Sequence, residues 1–309
     1  PICVDDADAK LWAGSHAGRA IEGTRQRERD RGNATEGTRQ RERDRGNATE
    51  GTRQRERDRV IGWHVPEYQP GLPWWPLVVV IVAIVVINIV NNRLAPQSHY
   101  LLWSFASSVV LIAIGLLDGN SFTDMGLGWW FYLSGFIWAV ASIGVVTAFY
   151  VVVSLFKKTR QAFKDDSIGS LSAGKLAFQA LVEVPFGTVL LEEIAFRAVL
   201  FSMLARRFGV VWAIVISSLM FGIWHVLPSI GTHERNPALG SVVGKGLRAN
   251  ILTVVGSVLV TAVAGVLFAL MRIVSGSVIA PMGLHWATNG LGYGFSWVIL
   301  RGRGRRRSP

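Results

Sequence analysis

Apolar residues run along positions 74–300 in long charge-free blocks rather than in short alternating ones. Leu77–Val90 contains no charged residue, nor does Trp129–Phe156, nor Ile251–Met271. Crossing the hydrocarbon core of a bilayer takes about 20 apolar helical residues. A backbone in lipid must also satisfy its own N–H and C=O groups. These blocks therefore predict transmembrane helices at about 74–91, 99–117, 129–156, 210–227, 249–273 and 277–300. A further helix over about 174–207 is too long for one straight span, and Pro185 inside it predicts a kink or break. Asp118-Gly119-Asn120 and Pro228 punctuate the pattern as turn residues. The fold class that follows is an all-α, polytopic transmembrane helix bundle of about seven spans.

Composition strengthens this reading. Half of the residues are apolar and 17% are charged, against roughly 25% charged in a soluble domain. Most of the twelve tryptophans, among them Trp74, Trp75, Trp129, Trp130 and Trp297, sit near the ends of the blocks, at the level where indole rings favour the membrane interface. Trp224 and Trp286 read as ordinary packing residues. The single cysteine, Cys3, leaves no partner for an intramolecular disulfide.

Residues 1–59 differ in kind. The unit Glu-Gly-Thr-Arg-Gln-Arg-Glu-Arg-Asp-Arg-Gly-Asn-Ala-Thr starts at Glu22 and Glu36, and a truncated copy starts at Glu50. Such a segment has almost nothing apolar to bury and cannot offset its ordering entropy, so disorder is expected. Identical copies point to recent duplication or to translation upstream of the true start, and the absent initial Met agrees with a fragment. The domain division is thus a low-complexity tail, 1–59, and an integral membrane domain, 60–309.

The net charge of +11 is unevenly spread, with five of the arginines in the last nine residues. Arg301, Arg303 and Arg305–Arg307 read as an anchor on anionic headgroups rather than a nucleic-acid site. Placing the 157–175 loop in the cytoplasm puts the 92–98 loop, the 228–248 loop and the C-terminal arginines on the same side. The opposite loops then hold only Arg206, Arg207 and Arg272, as the positive-inside rule requires. The expected localisation is a bacterial cell membrane with the C-terminus cytoplasmic.

Ionisable residues inside spans are costly and mark function by default. Three clusters occur here. In Glu192-Glu193-Ile-Ala-Phe-Arg197, Glu193 and Arg197 are spaced i, i+4 and share a helix face, whereas Glu192 projects about 100° away and is free to face a cavity. Phe221-Gly-Ile-Trp-His225 ends the fifth block. His285-Trp-Ala-Thr-Asn289 lies in the last, with His285 and Asn289 again four apart. Together they offer the groups that activate a water and stabilise an oxyanion. His16, His64, His99 and His233 lie in tail or loop positions and carry no functional reading.

Glu-Glu-x-x-x-Arg, Phe-x-x-x-His and His-x-x-x-Asn, in this order on successive hydrophobic segments, resemble the CPBP family. These are the CAAX proteases and bacteriocin-processing or immunity proteins, also called Abi. Asp124-Met-Gly-Leu127 looks like the family's Asp-x-Gly-Leu turn. The resemblance covers about 120–295, with its core at about 175–292. One position departs from it, with Ala198 where the family usually has Gly.

The resemblance implies an intramembrane endopeptidase acting on a membrane-associated protein or peptide, which the CAAX precedent would make prenylated. Glu192 would be the general base with His225 assisting. His285 and Asn289 would bind the carbonyl oxygen, and Glu193 and Arg197 would hold the helix. Whether the family's members use zinc or a metal-free glutamate stays open from the sequence. No His-Glu-x-x-His pair is present, but Glu192, His225 and His285 are candidate zinc ligands. A non-catalytic immunity or scaffold protein that binds a partner segment is the alternative.

Overall fold

The chain forms two units, Pro1–Arg57 and Asp58–Pro309, and the computed structural model describes residues 64–156, 159, 168 and 170–304. The repeat tail, most of the 157–169 loop and Arg305–Arg307 lie outside the described residues.

Seven long helices and no strand are present among the described residues. Helix α1 is Trp75–Leu94, α2 is Tyr100–Leu117 and α3 is Tyr132–Leu155, preceded by a 3-10 turn at Trp129–Phe131. Helix α4 runs over 173–208 and α5 over Val210–Trp224. Helix α6 is Gly246–Ser275, and α7 runs over 279–304. Counting its 3-10 lead-in with α3, and the turn Val226–Ser229 with α5, five of these are long and apolar enough to cross a membrane. The two that fall short, α4 and α7, carry the first and third polar motifs, and the second ends α5. The chain is an integral membrane protein, and seven is an approximate count of its spans.

Pro185 does not break α4. The helix continues through it by widening into π turns over Gln179–Val189, where looser hydrogen bonding absorbs the missing N–H. A second π segment, Ile194–Leu200, follows the single α turn Leu190–Glu193 that carries both glutamates.

The second half of helix α4 is the core of the bundle. Every residue from Leu191 to Arg207 is buried, charged ones included. The outer helices instead turn apolar side chains such as Val82, Phe105, Phe136 and Val263 outward. This inverts the arrangement of a soluble protein, because lipid solvates apolar surface and leaves the polar helix to be enclosed by its neighbours. Between α5 and α6 the backbones meet at small residues, as is usual in membranes. A Cβ on Gly222 would stand 2.7 Å from the Val258 carbonyl oxygen.

The end of the bundle that carries the 118–128 loop is tied by buried arginines. Arg207 donates to both Asp118 carboxylate oxygens, and Arg206 to the Asp118 carbonyl at 3.0 Å and Gln69 at 2.8 Å. Arg272, fully enclosed, donates to the carbonyls of Asp124 at 2.6 Å and His64 at 3.3 Å. Burial pushes the Asp124 carboxyl up, but the His64 imidazole at 3.7 Å and hydrogen bonds from the Ser121 hydroxyl and N–H outweigh it. They hold the group well below the usual carboxylate range. A depressed folded pKa stabilises above about pH 4, and that contribution is lost as the pH falls further.

Gly126 has φ +70°, and a Cβ there would fall on the Arg272 guanidinium. Gly126→Ala is expected to destabilise the protein by about 2 kcal/mol or more, from left-handed strain alone plus displacement of Arg272. A thermal melt in detergent would measure it, and an unchanged midpoint would show that the turn relaxes freely.

Candidate active site

The three polar motifs converge around Glu192 and Glu193. Glu193 is fully buried: Oε1 accepts from His285 Nδ1 at 2.8 Å, and Oε2, which makes no hydrogen bond, is ion-paired with Arg197 Nε at 3.4 Å. Glu192 projects elsewhere, as adjacent helical residues must. Its Oε1 accepts from the Trp224 indole N–H at 3.0 Å. Its Oε2 stands 3.9 Å from His225 Nε2 and 3.8 Å from His285 Nε2, beyond hydrogen-bond length, and has no protein partner.

The tautomers follow from the outer bonds. His225 donates its Nδ1–H to the Phe221 carbonyl at 2.8 Å, and His285 donates its own to Glu193. When both rings are neutral, each therefore presents an Nε2 lone pair toward Glu192 Oε2. Glu192 Oε2 and His225 Nε2 can accept the two O–H groups of one water, an arrangement suited to polarising it, with His285 Nε2 beside them.

Arg197 is enclosed by aromatic rings. Its guanidinium carbon lies 3.9 Å from the Phe221 ring centre, 4.9 Å from that of Phe268 and 5.9 Å from that of Phe196. Its terminal nitrogens make no hydrogen bond, so cation–π attraction replaces them in this dry setting. Phe221 also packs edge-on against His225 at 4.7 Å and His285 at 5.9 Å. The Phe of the second motif thus touches members of the other two.

A cavity of 280 Å³ opens beside Glu192 and His225. Asn91, Asn92, Tyr100, Thr188 and Trp224 are among the residues that line it. Asn289 is not among them and makes no side-chain hydrogen bond to the cluster. His285 ends an α-helical stretch at Trp286, and Asn289 lies in the π turn Ala287–Leu291. A π turn takes an extra residue, so a side chain four positions on no longer stacks directly over its predecessor.

Trp224 is the residue that sequence reasoning missed. Its place one residue before His225 is the only signal, and a packing role reads equally well from the sequence. Trp286 likewise has a polar task, donating its indole N–H to the Ala180 carbonyl at 2.8 Å. Trp224→Phe keeps an aromatic ring but frees Glu192 Oε1, and should lower kcat about tenfold without loss of folded protein, the worth of one hydrogen bond to a charged group. An unaltered kcat would remove Trp224 from the positioning of Glu192.

The donor spacing is wider than a bound zinc would set. Ligands around one tetrahedral zinc at about 2.0–2.1 Å stand roughly 3.3 Å apart, closer than the 3.8 and 3.9 Å found here. Among the described residues no group of three His, Cys, Asp or Glu side chains is set to hold a metal ion.

Residues 174–291 match the family model described as type II CAAX prenyl endopeptidase Rce1-like. No curated protein and no solved structure matches the chain. The matched stretch begins with α4 and ends in the π turn of α7, so it contains every member of the Glu192 cluster. Residues 174–291 belong to the Rce1-like CAAX proteases, a family of intramembrane endopeptidases, and are carried on a polytopic helix bundle.

Proposed function

We propose that the chain hydrolyses a peptide bond near the C-terminus of a prenylated, membrane-associated protein, with Glu192 as the general base. The observation that carries this reading is the unpartnered Glu192 Oε2, held between two histidine Nε2 atoms beside a cavity. Glu192 Oε2 takes the proton of the water as its oxygen bonds to the scissile carbon and returns it to the leaving amine nitrogen as the C–N bond breaks, and His225 helps to orient that water through Nε2. In its imidazolium form His285 presents Nε2–H to the carbonyl oxygen as charge develops there, with the Glu193 carboxylate as counter-charge. Glu193 and Arg197 keep α4 in register, and Asn289 has no contact with the reacting atoms in this reading. No step passes through a metal.

The cavity is lined by Asn91 and Asn92 at the end of α1, by Tyr100 at the start of α2 and by Pro228 after α5. These residues flank the 92–98 and 228–248 loops, so the cavity lies toward the face on which those loops sit. Under the positive-inside rule this is the cytoplasmic face. The arginines of the opposite face, Arg206, Arg207 and Arg272, are all buried and hydrogen-bonded, which leaves few free positive charges there. A prenylated cytoplasmic protein would meet the cavity from that side. The test is cleavage of a prenylated CAAX peptide by the full chain in proteoliposomes, with Glu192→Gln beside it. A bound but uncleaved peptide in the wild type would favour the scaffold alternative.

A further inference from the structure

The geometry points to Asn91 as a substrate-binding residue whose carboxamide holds a backbone peptide unit of the substrate in the cavity beside Glu192. This rests on the reading of Glu192 as the base, and it adds a residue from outside the matched domain.

Three asparagines mark the end of α1. Asn88, buried, donates its Nδ2–H to the Trp224 carbonyl at 2.9 Å, and Asn92 donates its own to the Asn88 carbonyl at 2.9 Å. Trp224 in turn donates to Glu192. Asn88 therefore fixes the end of α1 to the residue that positions the base, and Asn92 is occupied within its own helix. Asn91 differs. It lines the cavity, its Oδ1 is buried without a partner, and its side chain makes no hydrogen bond. It sits in the π turn Val90–Leu94, a widened turn of the kind that re-aims side chains at functional sites.

A buried, unpartnered carboxamide oxygen costs stability unless something pairs with it. A carboxamide offers one acceptor and two donors, so it can meet a peptide unit edge to edge, accepting its N–H and donating to its C=O. The match survives exchange of the side-chain oxygen and nitrogen, because either orientation offers both functions. An extended substrate strand in the cavity presents unpaired N–H and C=O groups of this kind. The other polar lining groups are less available: Tyr100 and Thr188 share a hydrogen bond of 2.9 Å, and the Trp224 indole is committed to Glu192.

The test uses the full chain in proteoliposomes and a fluorogenic prenylated CAAX peptide. Three further peptides each carry an ester in place of one backbone amide, which removes a single N–H. Asn91→Ala should raise KM for the parent peptide about tenfold, the worth of one to two hydrogen bonds, with kcat within about twofold. One ester peptide should show a raised KM with the wild type but the same KM as the parent with Asn91→Ala. The wild-type ester measurements leave the protein untouched, so the absence of any ester effect overturns the proposal even if the variant folds poorly. An unchanged KM in Asn91→Ala, or no ester that raises KM in the wild type, overturns the proposal while leaving Glu192 as the base. Undiminished cleavage by Glu192→Gln overturns the reading beneath it, and failure of the wild type to cleave the parent peptide overturns both.

Discussion

Glu192→Gln is expected to abolish cleavage while leaving the protein folded and inserted. Gln keeps the size of the side chain and an oxygen able to accept the Trp224 indole N–H, so the bond that orients residue 192 survives. What is lost is the capacity of Oε2 to take a proton from water, and general-base catalysis is typically worth roughly 10²–10⁴-fold. The fall should appear in kcat, with KM little altered, because the base acts on water rather than on the peptide. Glu192 shares its surroundings with Glu193, and the two are not interchangeable. Glu193 Oε1 is hydrogen-bonded to His285 and Oε2 is ion-paired with Arg197 at 3.4 Å, and Glu192 rather than Glu193 lines the cavity. Initial rates on the prenylated peptide, normalised to monodisperse protein, measure the effect. Near-normal turnover would mean that Glu192 is not the base.

Arg197→Ala is expected to act on stability first. The residue is 1% exposed and its partner Glu193 fully buried. Removing one member of a buried pair leaves the other as an uncompensated charge, at a cost of about 3–5 kcal/mol. The loss compounds here, because the guanidinium also fills the space between Phe196, Phe221 and Phe268. Its removal leaves a cavity in the most enclosed helix of the bundle. The observable is the yield of monodisperse protein and its melting midpoint in detergent, both lower than for Glu192→Gln. Arg197→Lys, which keeps the charge but not the planar face that lies over the rings, should recover part of the yield. A variant as stable as the wild type would show that Glu193 does not depend on Arg197.

Much of the architecture was legible in the chain because bilayer thickness and backbone hydrogen bonding leave few ways to use a long apolar block. With the 3-10 lead-in counted in α3 and the Val226–Ser229 turn in α5, the ends of α2, α3 and α5 fall within two residues of the pattern read from hydrophobicity, and α1 runs three residues past it through its π turn. The i, i+4 spacing of Glu193 and Arg197 makes their contact predictable by local geometry alone. The same rule did not carry over to His285 and Asn289. Whether a turn is α or π depends on the tertiary surroundings, and the extra residue in the Ala287–Leu291 turn changes which side chains share a face.

The sequence by itself determined the class of molecule, the order of its helices and the residue types available for chemistry. Charge-free length, ionisable residues within it and motif spacing are all local properties. Only the tertiary structure decided that α4 is enclosed on every side from Leu191 to Arg207, that Trp224 holds Glu192, that Phe221 joins Arg197 to both histidines, and that Asn91 rather than Asn289 lines the cavity. The reason is physical. In a bilayer an apolar face is as content against lipid as against another helix, so hydrophobic periodicity does not say which face turns inward. That choice is made by close approach at small residues and by hydrogen bonds between residues far apart in the chain, such as Asn88 to Trp224 and Glu193 to His285.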